Sequence, residues 1–162
     1  MGLLGISELS DAFDGFLARR YNQVTDLGKV LDPMADSIAR ISVFLTFTLD
    51  PVNLPMPIIF IFLYRDSVVS TLRTICALKG FALAARTSGK IKAVIQALAA
   101  LIVLILMIPY AEGLISQQTL HNAGTTIVGI AALYTIYSGV DYITSNWIYI
   151  SKLLYPNADK VS

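Results

Sequence analysis

Asp11-Ala12-Phe13-Asp14-Gly15-Phe16-Leu17-Ala18-Arg19, then eight residues, then Gly28-Lys29-Val30-Leu31-Asp32-Pro33-Met34-Ala35-Asp36, is the stretch on which the reading of this chain turns. Asp11 and Asp14 are three residues apart, Asp32 and Asp36 four, so each pair falls on one face of a helix. Carboxylates are among the costliest side chains to place in lipid, and a cluster of them demands a compensating cation. The chain around them is apolar enough to be membrane.

With 162 residues the length suits one domain, expected to run over 1–162. A mean hydropathy of +0.68, with 56% hydrophobic and 14% charged residues, departs from soluble composition towards a membrane bundle. The formal net charge of +1 gives no overall field for nucleic acid. The single cysteine, Cys76, excludes an internal disulfide and sits among apolar neighbours as a packing residue. No cleavable signal is visible at the N-terminus, which lacks a basic region and meets acids early.

Outward from the motif, four long apolar stretches and a fragment can be read. Residues 1–13 resemble the end of a helix too short to span. Asp32 to Leu49 follows, with Asp32 as N-cap and Pro33 at the first helical position. Met56 to Lys79 comes next, interrupted by Arg65, Asp66 and Arg73. Ile91 to Pro109 is the cleanest, a rise of about 28 Å, near the thickness of the hydrocarbon core. His121 to Ile150 closes the set, with Trp147, Tyr149 and Tyr155 placed like an interfacial belt and His121 as an ordinary interfacial residue. The expected fold is an all-α, polytopic transmembrane helix bundle with about four full spans plus a truncated N-terminal helix.

Charge alternates along the loops. Arg19, Arg20 and Lys29 accompany the motif; Lys79, Arg86, Lys90 and Lys92 flank the loop at 80–89; Lys152 and Lys160 lie in the tail. The loops at 50–55 and 110–119 hold no Lys or Arg. The positive-inside rule then puts the motif and the basic loop in the cytoplasm.

Asp oxygens are hard ligands, suited to Mg²⁺ or Mn²⁺, and no Cys/His set competes. Four carboxylates from two helices can hold two divalent ions, which together clamp the attacking and leaving oxygens of a phosphoryl displacement. Gly15, Ala18 and Gly28 are small enough for close approach of backbone and ligand. Arg19 supplies a planar, permanently charged fork for phosphate. Any one of these residues also fits a solvated face or a helix-packing position; the whole pattern at this spacing does not.

That pattern, Asp-x2-Asp-Gly-x2-Ala-Arg-x8-Gly-x3-Asp-x3-Asp, resembles the signature of the CDP-alcohol phosphotransferase family without departure. The resemblance implies an integral membrane enzyme, typically a six-helix homodimer, that moves a phosphatidyl or similar group from a CDP-linked donor to an alcohol and releases CMP. It implies that Asp11, Asp14, Asp32 and Asp36 form the metal site, with Asp36 also the general base. It implies that Gly15, Ala18, Arg19 and Gly28 line the cytidine diphosphate pocket, and that the family's first transmembrane helix is lacking here.

Within the family the chain is most similar to the bacterial phosphatidylglycerophosphate synthase branch. Arg65-Asp66-Ser67 with Leu72-Arg73 resembles its Arg-Glu…Leu-Arg segment, Gly89-Lys90-Ile91-Lys92 with Gln96 its Gly-Lys-x-Lys-Thr…Gln segment, and Ser138-Gly139-x-Asp141-Tyr142 its final helix. Thr74 stands where that branch usually has an acid, and Ala93 where it has Thr. The implied substrates are CDP-diacylglycerol and glycerol 3-phosphate, the implied site the cytoplasmic face of a bacterial membrane. An acceptor with its own phosphate needs cations, and Arg65, Arg73, Lys90 and Lys92 are the candidates. The lysines serve equally as positive-inside anchors. Arg65 is the deepest, and would pair with Asp66 or another intramembrane acid, or line a polar cavity. Asp141 reads first as a structural hydrogen-bonding group within the bundle. Alternatives are a relative with inositol phosphate, inositol or serine as acceptor, an ion transporter using the same carboxylates, and a catalytically impaired membrane partner. Acids near the cytoplasmic helix ends, beside Arg19, favour phosphate chemistry over transport.

Overall fold

The computed structural model describes residues 26–80, 83 and 86–154, with side-chain surroundings for 34–80, 83 and 86–151. All its regular elements are helices: α1 (Asp26–Thr46), α2 (Met56–Leu78), α3 (Thr87–Ala111), α4 (Gln117–Ser145) and the short α5 (Trp147–Leu154). The chain divides into two units, one ending at Ile38 and one beginning at Ala39, and the boundary falls within α1.

The first unit contributes the start of α1. Pro33 lies inside this helix, not at its first position, so Asp32 is an interior residue and not the N-cap that the sequence suggests. A proline there removes one i→i−4 hydrogen bond and crowds the carbonyl one turn back. The helix-favouring residues around it, Leu27, Lys29, Leu31, Met34 and Ala35, carry the helix through.

The second unit is organised by α4, which packs along α3 and also against α2. Phe44 of α1, Phe47, Val52 and Leu54 of the following loop, Ile59 and Phe62 of α2, Val103 of α3, and Leu120, Val128 and Ala131 of α4 form its main core. The Phe44 and Phe62 rings meet with centroids 4.8 Å apart. Small residues on α4 let neighbouring helices come close, which is how helices associate where lipid competes for apolar contact. A second cluster of Val69, Cys76, Leu83 and Tyr142 lies where α2 meets the end of α4. Cys76 is fully buried there, as its apolar neighbours suggested.

Helix ends follow local chemistry. Ser116 caps α4 by accepting the Thr119 N–H at 3.2 Å, which starts the helix four residues before His121. Gly113, with φ +73°, reverses the chain after α3, and the Leu114 N–H reaches back to the Pro109 carbonyl at 2.9 Å. Asp50 accepts from both Asn53 and Gln117, and the His121 ring lies 3.1 Å from the Val52 carbonyl, tying the α1–α2 loop to α4. The last expected stretch is two helices: buried Asn146 donates to the Tyr142 carbonyl at 2.8 Å, and α5 begins after it.

The outward faces are apolar. Ile91, Val94, Leu98, Leu101 and Ile105 of α3, and Ile130, Leu133 and Ile136 of α4, are all exposed. A water-soluble protein avoids a patch of that size. Both helices are long and apolar enough to cross a bilayer, and most of their surface is uncovered, unlike the core helix of a soluble protein. They read as lipid-facing spans. At 23 residues α2 is also long enough, at about 34 Å, but carries Arg65, Asp66 and Arg73. The four long helices thus occupy the four apolar stretches expected from the sequence, with shifted ends.

Candidate functional site

In the first unit, α1 presents Gly28, Asp32 and Asp36 at successive four-residue steps, one row along one helix face. Because the helix starts before Asp32, the row is continuous. Asp36 is exposed. Asp11, Asp14, Gly15, Ala18 and Arg19 lie outside the described residues. Among the described residues, no three carboxylate, histidine or cysteine side chains converge on a point where a metal would sit.

The second unit holds a charged cluster built from three helices. On α2, Arg65 donates from Nη1 to Asp66 Oδ1 at 3.1 Å. From α3, Lys92 Nζ donates to that same oxygen at 2.6 Å. On α4, Ser138 Oγ accepts from Arg65 Nη2 at 2.7 Å. Lys92 is only 3% exposed, and the Arg65 and Asp66 side chains 12% each. Two glycines shape the slot. A methyl at Gly139 would stand 3.2 Å from Arg65 Cγ, and one at Gly89 would stand 3.4 Å from Nη2. The long side chain therefore lies between α3 and α4 where neither presents a Cβ.

Arg40, near the end of α1, is an electrostatic neighbour of Lys92. Its Nε is buried without a hydrogen-bond partner, as is Arg65 Nε. Three cations thus gather around one carboxylate among the described residues. Buried charge of one sign is expensive unless an anion completes it. The cluster is suited to receive a phosphate.

Of the four cations singled out from sequence, the structure brings Arg65 and Lys92 together and leaves the other two apart. Lys90 is exposed, and exposed Arg73 lies over the Tyr142 ring at 6.0 Å from its centroid. Of the alternatives the sequence leaves for Arg65, the structure shows pairing with Asp66; the link from Asp66 across to Lys92 is not legible in the sequence. Arg40 was missed as well, although a lone arginine in the apolar run 38–45 is a visible signal. Asp141 is a structural acceptor, taking hydrogen bonds from Arg86 at 3.1 Å and from Ser88 at the start of α3.

A family model, CDP-alcohol phosphatidyltransferase, matches residues 1–149. Over 145 residues the chain is 32% identical to the CDP-diacylglycerol–glycerol-3-phosphate 3-phosphatidyltransferase of Bacillus subtilis, covering 88% of this chain and 70% of that one. Over 142 residues it is 34% identical to the protein of the same name from Rickettsia bellii, covering 86% and 74%.

Proposed function

We propose that this chain, which belongs to the CDP-alcohol phosphatidyltransferase family, transfers a phosphatidyl group from CDP-diacylglycerol to glycerol 3-phosphate and releases CMP. Relatives named for that reaction align with more than four-fifths of the chain. The observation that carries the acceptor is the gathering of Arg65, Lys92 and, beside Lys92, Arg40 with one carboxylate, Asp66, among the described residues, two of their guanidinium Nε atoms being buried without a partner. A phosphorylated alcohol supplies the missing anion; a neutral one does not.

The residues divide the work. Asp11, Asp14, Asp32 and Asp36 are assigned to hold Mg²⁺ or Mn²⁺, in two ions. The donor set fits: hard oxygens only, with Asp32 and Asp36 one helical turn apart on α1. Bound there, divalent ions would neutralise the pyrophosphate and the departing CMP. Gly15, Ala18, Arg19 and Gly28 are assigned to the cytidine diphosphate. Asp36, exposed on α1, takes the proton from the acceptor hydroxyl as its oxygen attacks the phosphorus. Arg65 and Lys92, joined by Arg40, hold the acceptor phosphate. Arg73 and Lys90, both exposed, attract it from solvent. The donor's acyl chains stay in lipid. The enzyme works as a homodimer in the bacterial cytoplasmic membrane, and the basic loop between α2 and α3 supports an active site facing the cytoplasm.

The test is CMP release from CDP-diacylglycerol by the purified protein across glycerol 3-phosphate, inositol phosphate, inositol and serine, with and without chelator. Turnover with glycerol 3-phosphate alone, lost to EDTA and restored by Mg²⁺ or Mn²⁺, is expected. Turnover with a neutral alcohol alone would refute the acceptor assignment, and turnover in EDTA the metal assignment.

A further inference from the structure

We infer that Asp66 is a positioning residue for the acceptor-phosphate site, acting through Lys92; this rests on the proposed acceptor. Arg65 and Lys92 are held in different ways. Arg65 hydrogen-bonds both Asp66 and Ser138, and its stem lies against Gly139. If either hydrogen bond is lost, the other remains to hold it. Lys92 has one hydrogen-bond partner among the described residues, Asp66, at 2.6 Å.

Lys92 also has the harder position. Its ammonium ends a flexible four-carbon stem, is 3% exposed, and has Arg65 and Arg40 as repelling neighbours. Bulk solvent barely reaches it, and two guanidinium groups push it away. The attraction of one carboxylate oxygen fixes its direction. Ammonium groups offer three donors and guanidinium groups five, so most N–H groups of the pair stay available after Asp66 is satisfied. Donors for a phosphate therefore remain while the carboxylate keeps its own hydrogen bonds.

A competing role makes the opposite prediction. If Asp66 were only a negative charge near the phosphate, neutralising it would tighten acceptor binding. If it aims Lys92, neutralising it weakens binding even though an Asn oxygen remains in the same place. The difference between a charge-assisted and a neutral hydrogen bond makes the positioning effect about tenfold.

The experiment compares wild type, Asp66→Asn, Asp66→Glu, Lys92→Met and the double variant Asp66→Asn/Lys92→Met. The readouts are apparent KM for glycerol 3-phosphate and for CDP-diacylglycerol, and the rise in thermal midpoint on adding glycerol 3-phosphate. Asp66→Asn is expected to raise the acceptor KM about tenfold, leave the donor KM within about twofold, and lose the ligand-induced midpoint rise. Asp66→Glu should restore most of that rise. The double variant should be no worse than Lys92→Met alone, because a residue acting through another adds nothing once that partner is gone. An unchanged or lower acceptor KM in Asp66→Asn, an equal rise in both KM values, or additive effects in the double variant would overturn the inference. Lack of turnover and of a midpoint rise in the wild type would instead count against the acceptor itself.

Discussion

Gly139 and Gly129 lie ten residues apart on α4 and are opposites in their surroundings, which makes them a matched pair for testing how Arg65 is held. A Cβ at Gly139 would come within 3.2 Å of Arg65 Cγ, whereas one at Gly129 would meet nothing within 4 Å. Arg65 Cγ is close to the α2 backbone and cannot swing aside as a side-chain tip can. Relieving the contact means turning the side chain at its root. That pulls Nη2 from Ser138, now 2.7 Å away, and Nη1 from Asp66, now 3.1 Å away.

The magnitudes decide the sign. Replacing a helical glycine by alanine favours the helix by about 1 kcal/mol. Overpacking a closed contact costs about 1–3 kcal/mol. Gly129→Ala keeps only the gain, so its thermal midpoint should be equal to or above wild type. Gly139→Ala bears both terms and should fall below Gly129→Ala by an amount set by the overpacking. Detergent-solubilised protein unfolded side by side, with acceptor KM measured on the same preparations, checks both. Gly139→Ala should also raise the KM for glycerol 3-phosphate severalfold and spare that for CDP-diacylglycerol. Indistinguishable midpoints and acceptor KM values for the two variants would refute the slot as the device that seats Arg65.

Asp36→Asn should abolish CMP release while retaining most of the affinity for CDP-diacylglycerol, measured by equilibrium binding; wild-type-like turnover would remove Asp36 as the base. Ser116→Ala should lower stability by about 1 kcal/mol through loss of the cap at the start of α4, read as a lower thermal midpoint, with both KM values unchanged.

Hydropathy marks the long helices, α3 and α4 most clearly, because a lipid-facing helix must be apolar along its whole outer surface, and that shows in one dimension. Ends were harder. Asp32-Pro33 carries a strong start signal, yet helix-favouring neighbours on both sides outweigh one proline. The real cap on α4, Ser116, precedes polar Gln117, Gln118 and Thr119, so apolarity alone placed that start too late. Arg65 with Asp66 was legible because the residues are adjacent. Lys92 with Asp66 spans 26 residues and exists only because α2 and α3 bring the two side chains together. Likewise, nothing in the local sequence of Ser138 says that it receives an arginine from another helix. Site chemistry carried by a compact motif is readable; chemistry assembled between helices is not.

The charge around Asp66 also constrains the acceptor more tightly than the carboxylate motif does. Among the described residues, Arg65 and Lys92 pair with one carboxylate, Asp66, and Arg40 lies near Lys92, so this group carries two more positive charges than negative ones. A phosphate monoester carries about −1.5 to −2 at neutral pH, close to what is missing. Serine or free inositol would leave the excess charge in place, and a buried charge without its partner costs several kcal/mol. Inositol phosphate would satisfy the same cations, so their excess selects for a phosphate and not for the alcohol that bears it. The choice of glycerol 3-phosphate therefore rests on the relatives, while the demand for a phosphorylated acceptor rests on the chain's own buried charge.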